Sequence, residues 1–125
     1  MANTSRFKCK AAKVYPEPGV IVQKLAPAII TKYYKRLIDS FKSVDYIAFQ
    51  FLPGKRGLWV REGKRTYILL DPRESLLPTL IHELLHNYYE DLTEMEVLSL
   101  EFSLVNKLSP RRYKKINKLL MTKLK

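Results

Sequence analysis

Between Glu74 and Asn106 the chain carries seven acids, Glu74, Glu83, Glu90, Asp91, Glu94, Glu96 and Glu101, and no Lys or Arg. Apolar residues recur through the same stretch at helical spacing, interrupted once by "DLTEMEV". A proline is tolerated in a helical first turn, so a helix is expected to begin near Ser75 or Pro78 and run to about Glu90. Thr93, with Glu96 three positions on, forms a capping box, which starts a second helix reaching about Leu108. The stretch therefore reads as an acidic helical hairpin.

The rest of the chain frames it with positive charge. All 23 Lys and Arg lie outside the hairpin, and the formal net charge of the 125 residues is +11. That length suits one domain over residues 1–125, with a core sufficient to fold without disulfides. "YPEPG" marks residues 1–20 as an extended arm, and apolar spacing from Val22 to Phe41 predicts an amphipathic helix. "DYIAFQFL" (45–52), "LWVR" (58–61) and "RTYILL" (65–70) read as strands separated by "PGKRG" and "EGK", giving a small, mostly antiparallel sheet of three to four strands. Ser109-Pro110 opens a basic C-terminal helix over 109–125, with Tyr113, Ile116, Leu120 and Leu124 on one side. The expected fold class is α+β. One cysteine, Cys9, no leader pattern and no apolar run of membrane-spanning length point to a soluble, cytoplasmic protein with no membrane partner. The basic frame could attract nucleic acid or an acidic protein, or be a solvated surface, and no nucleic-acid-binding motif is present.

The only two histidines, His82 and His86, stand four apart on the first hairpin helix, so their rings lie one above the other and can hold one Zn²⁺ between them. They point away from the stripe formed by Leu77, Ile81, Leu84 and Tyr88, which argues against a pair of core histidines. Glu83 projects beside them and can accept a proton from a metal-activated water. "HELLH" resembles the active helix of the zincin metallopeptidases. The resemblance extends over residues 45–108 and rests on this one short motif. It implies a mixed sheet before the active helix, Glu83 as general base, a polypeptide substrate and one edge strand pairing with that substrate. "RTYILL" would be the strand before the helix and one candidate for that edge, with "YIAFQFL" as the alternative.

Within that resemblance the third ligand must be sought among carboxylates. The metzincin extension with its glycine and third histidine is absent, no later histidine remains of the kind that DNA-repair proteases use, and Cys9 lacks the glycine of the deformylase loop. A minimal gluzincin-like arrangement is left. Asp91, Glu94, Glu96 and Glu101 are the candidates. Glu96 is explained by the capping box, while Glu94 and Asp91 suit a helix N-terminus. Glu101 falls in the middle of the apolar arc of Val97, Leu98, Leu104, Val105 and Leu108, where a carboxylate needs a positive or hydrogen-bonding partner. With no cation in the hairpin, a metal would serve. Antiparallel packing also sets Glu101 level with His82, and the lean of helical side chains favours it over Glu94. His82, His86 and Glu101 are therefore the expected ligands, with Glu94 and Asp91 as alternatives. A hydrogen bond accepted by Glu101 from a buried tyrosine hydroxyl or a backbone group is the alternative explanation without metal.

Tyr89 is a candidate oxyanion donor but a better core residue, as are Tyr33 and Tyr34. Cys9 could occupy an open zinc position and make the enzyme latent, although a lone cysteine is ordinarily an inert thiol. The C-terminal helix reads equally as a lid on the core or as a docking surface. The expected function is a zinc-dependent metallopeptidase; the rival is a non-catalytic basic binding protein for nucleic acid or an acidic partner, with a structural zinc or none.

Overall fold

A computed structural model of the chain describes residues 26–125. The expected arm, Cys9 and the start of the helix at Val22 lie outside the described residues. The described elements are helix α1 (Pro27–Ser43), strands β1 (Tyr46–Phe49), β2 (Gly57–Glu62) and β3 (Arg65–Leu70), and helices α2 (Leu76–Tyr88), α3 (Glu94–Lys107) and α4 (Pro110–Lys123). This is an α+β arrangement of four helices on a small mixed sheet.

Strand order is β1-β3-β2, with β3 in the centre. β2 and β3 form the expected antiparallel hairpin, closed by Gly63-Lys64 with Gly63 at φ 61°, a left-handed conformation that costs glycine least. β1 instead runs parallel to β3, contrary to the mostly antiparallel sheet expected from sequence. The cause is the connection 50–56, which passes over the end of β3. Asp71, just beyond β3, clamps this connection: its backbone N–H donates to Arg56 O (2.9 Å), and its carboxylate accepts the Leu52 N–H (2.9 Å). Arg73 bonds the same carboxylate and holds Asp71 well below the ordinary carboxylate range, with the Leu52 bond adding to the effect.

α1 begins at a proline in its first turn and contributes Ile30, Leu37 and Phe41 to a core shared with Trp59, Ile68 and Leu70 of the sheet, Leu80, Ile81, Leu84 and Leu85 of α2, and Val97 and Leu104 of α3. α4 adds Ile116 and Leu120. Its last residues then return to the sheet: Leu124 bridges Ile47 in parallel and the Lys125 N–H donates to Ile47 O (2.8 Å). Lys123 donates to the Phe41, Lys42 and Val44 carbonyls, so a cation satisfies the C-terminal end of α1. The apolar side of α4 is thus a lid on the core, and Arg111, Lys114, Lys115 and Lys118 on its other side are exposed. Among the described residues no helix is long and apolar enough to cross a membrane.

Candidate metal centre

α2 is buried without interruption from Thr79 to Asn87. Its apolar side meets the core, so its polar side, Thr79, His82, Glu83, His86 and Asn87, must find partners within the protein. β2 supplies several of them. Residues at alternate positions of the strand face successive turns of the helix: Gly57 lies against Thr79 and Glu83, Trp59 Nε1 donates to Asn87 Oδ1 (2.8 Å), and Arg61 pairs with Glu90. Asn87 Nδ2 continues to Ser40 Oγ (2.9 Å) and Ser43 Oγ (2.8 Å), which fixes the last turn of α2 against α1 as well.

α3 supplies the partners of the histidines. The expected capping box is present: Thr93 Oγ1 accepts the Glu96 N–H (3.1 Å), and Glu96 Oε1 accepts the Thr93 N–H (2.8 Å). This starts the helix at Glu94, directly over the end of α2. Glu94 Oε1 then lies 2.7 Å from His86 Nε2 and 3.2 Å from His82 Nε2. Burial would raise the Glu94 pKa, but the two histidines outweigh it and lower it to about 2.

Glu101, two turns further along α3, is level with His82 as the antiparallel hairpin requires, but it meets the other side of the ring. Its Oε1 lies 2.9 Å from His82 Nδ1. Its positive partner is Arg56, in the turn before β2: Nη2 donates to Oε1 (2.8 Å) and Nη1 to Oε2 (3.1 Å). Burial opposes ionisation of Glu101, yet the bonds from His82 and Arg56 prevail and lower its pKa. Of the two carboxylates weighed as third ligand, Glu94 therefore lies beside the Nε2 atoms of both histidines, while Glu101 reaches only Nδ1 of His82. The cation that Glu101 needs is absent from the hairpin and comes from the loop 50–56. The lean of helical side chains does not act on the two alike, since Glu94 lies in a first turn with no preceding turn to direct it. Asp91 is exposed in the connection.

Glu83 is buried beside the histidine pair, on the side facing β2. Tyr89 caps α2; its hydroxyl accepts a bond from Arg36 (2.6 Å) and its ring packs edge-on against Tyr33, which holds it to α1. "RTYILL" is the central strand and so is not an edge. Of the two edges, β1 carries the chain's own C-terminal residues, and β2 pairs only with β3 among the described strands. Because Arg56 and Asp71 are a hydrogen-bonded pair, alternation along the ladder directs the backbone groups of Gly57, Trp59 and Arg61 outward.

The donor set suits a metal. His82, His86 and Glu94 each offer one ligand atom, and these lie within 4.8 Å of one another. Tetrahedral zinc with bonds near 2.05 Å separates its ligands by about 3.3 Å, close to the His82–Glu94 separation of 3.2 Å, while the His86–Glu94 contact at 2.7 Å would have to open slightly. Two imidazoles and a carboxylate are also a usual zinc donor set. Among the residues that sequence reasoning missed, Arg56 carried no signal tying it to Glu101. Gly57 did carry one, since a glycine opening a strand often marks a close approach. No family model, curated protein or solved structure matches this chain.

Proposed function

We propose that this chain is a zinc-dependent peptidase in which His82, His86 and Glu94 hold the metal and Glu83 is the general base. The observation that carries the reading is the convergence of the two Nε2 atoms on one Glu94 oxygen at 2.7 and 3.2 Å. When bound, zinc supplies Lewis-acid polarisation and a water of lowered pKa. Glu83, adjacent to His82 on a helix held on every side, accepts a proton from the attacking water and returns it to the leaving amine. The outward backbone groups of β2 can take an extended polypeptide as an added strand beside this centre. Activity on an unfolded polypeptide that disappears in Glu83→Gln while zinc is retained would support the reading. Equal activity in that variant would remove the general-base assignment.

A non-catalytic basic binding protein is the second reading, and one observation favours it. With its apolar side in the core, α4 leaves Arg111, Lys114, Lys115 and Lys118 exposed along one face. Steeply salt-dependent binding to nucleic acid or an acidic protein, unaffected by Glu83→Gln, would support this alternative.

A further inference from the structure

Resting on the zinc reading above, we infer that Glu101 and Arg56 are positioning residues for His82. Their ion pair fixes the ring so that Nδ1 carries the proton and Nε2 faces the metal position.

A neutral imidazole has one donor nitrogen and one acceptor nitrogen, and the partner at one decides the character of the other. The two nitrogens of His82 are placed differently. Nε2 lies among the atoms that would hold the metal, whereas Nδ1 points at Glu101 Oε1, 2.9 Å away. A carboxylate accepts and cannot donate, and both ring nitrogens face one; Glu101 is the closer, at 2.9 Å against 3.1 Å for the nearest Glu94 oxygen, so it favours the tautomer with hydrogen on Nδ1 and leaves the Nε2 lone pair for the metal. Such partners orient a ligating ring and raise its basicity.

Arg56 makes that acceptor rigid. Its fork bonds both oxygens of Glu101, which leaves the carboxylate no freedom to rotate away from the ring. The arginine is itself anchored, because its backbone carbonyl accepts the Asp71 N–H and the loop that carries it is clamped by the Asp71 carboxylate. His86 differs: its Nδ1 is buried with no hydrogen-bond partner among the described residues. The device is therefore particular to His82, and it runs from the end of β3 through Arg56 and Glu101 to one ring nitrogen.

Two measurements on the full chain test this. Nitrogen NMR of the metal-free protein, at a pH where both rings are neutral, reads the His82 tautomer directly. Competition with a chromogenic chelator reads Zn²⁺ affinity in the wild type and in Glu101→Gln, Arg56→Gln, Arg56→Lys and Glu94→Gln. The expected result is hydrogen on Nδ1 of His82 and zinc affinity roughly 10–100-fold weaker in Glu101→Gln. Arg56→Gln should weaken it less and Arg56→Lys should restore part of the loss, with full stoichiometry kept at saturating zinc in all three. Hydrogen on Nε2, or unchanged affinity in folded Glu101→Gln, would overturn the inference. Should Glu101→Gln not fold, the wild-type tautomer and the Arg56 pair decide. If the wild type takes up no zinc, the metal reading fails and the tautomer alone decides on the positioning role. Complete loss of zinc in Glu101→Gln with retention in Glu94→Gln would make Glu101 a ligand and overturn both.

Discussion

Gly57 backs directly onto Glu83. A Cβ at position 57 would lie 3.2 Å from Glu83 Cγ and Oε2 and 2.5 Å from Thr79 Cγ2. The space that a side chain would fill at the start of β2 is occupied by the proposed base. Gly57→Ala must therefore push Glu83 and Thr79 aside, at a cost of about 1–3 kcal/mol for overpacking. Zinc content at saturating metal should be unchanged, because neither Thr79 nor Glu83 is among the ligands, while kcat should fall about tenfold or more as the base shifts. Steady-state kinetics and metal analysis on the same preparation check this.

Asn87 joins β2, α1 and the turn of α2 that carries His86. Asn87→Leu would leave the Trp59 indole N–H and the Ser40 and Ser43 hydroxyls without this partner. A loss of about 1–3 kcal/mol is expected, chiefly from the buried indole N–H left unsatisfied, since both serine hydroxyls keep their bonds to backbone carbonyls. Urea denaturation of the metal-free protein measures it.

Acid should release the Asp71 clamp. Its folded pKa lies well below the ordinary value near ~3.9, so its contribution to stability is fully present above that value. It is lost progressively as pH falls below it toward the folded pKa. Asp71→Asn should lower the melting temperature at neutral pH, and the difference from the wild type should shrink steadily in acid. Thermal melts across that pH range test the direction; a constant difference would show that Asp71 acts through something other than its charge.

Zinc should stabilise the fold, since the donors converge only when α2 and α3 are packed. At about 100 times its dissociation constant, a ligand specific to the folded state adds about 2.7 kcal/mol. Melts with added zinc or a chelator should differ accordingly in the wild type. The difference should vanish in His86→Ala.

Much of this arrangement was legible locally. The span of α2, the hairpin at Gly63 and the box at Thr93 and Glu96 depend on residues within a few positions of one another, so spacing reveals them. Glu101 was correctly marked as a carboxylate on a buried face, because burial of that helix follows from its own periodicity. Its partner was not legible. Arg56 lies 45 positions away in a loop whose path depends on Asp71 and on β1 pairing parallel to β3, and no local pattern encodes that crossover. The choice between Glu94 and Glu101 turned on which ring nitrogen each reaches, and helical periodicity places residues on faces without resolving that.

Metal analysis of the purified wild type beside Glu94→Gln tests whether His82, His86 and Glu94 form a metal site. Stoichiometric zinc is expected in the wild type and little or none in a folded Glu94→Gln. A wild type that neither contains nor takes up zinc, or a Glu94→Gln variant that keeps it, would contradict the account.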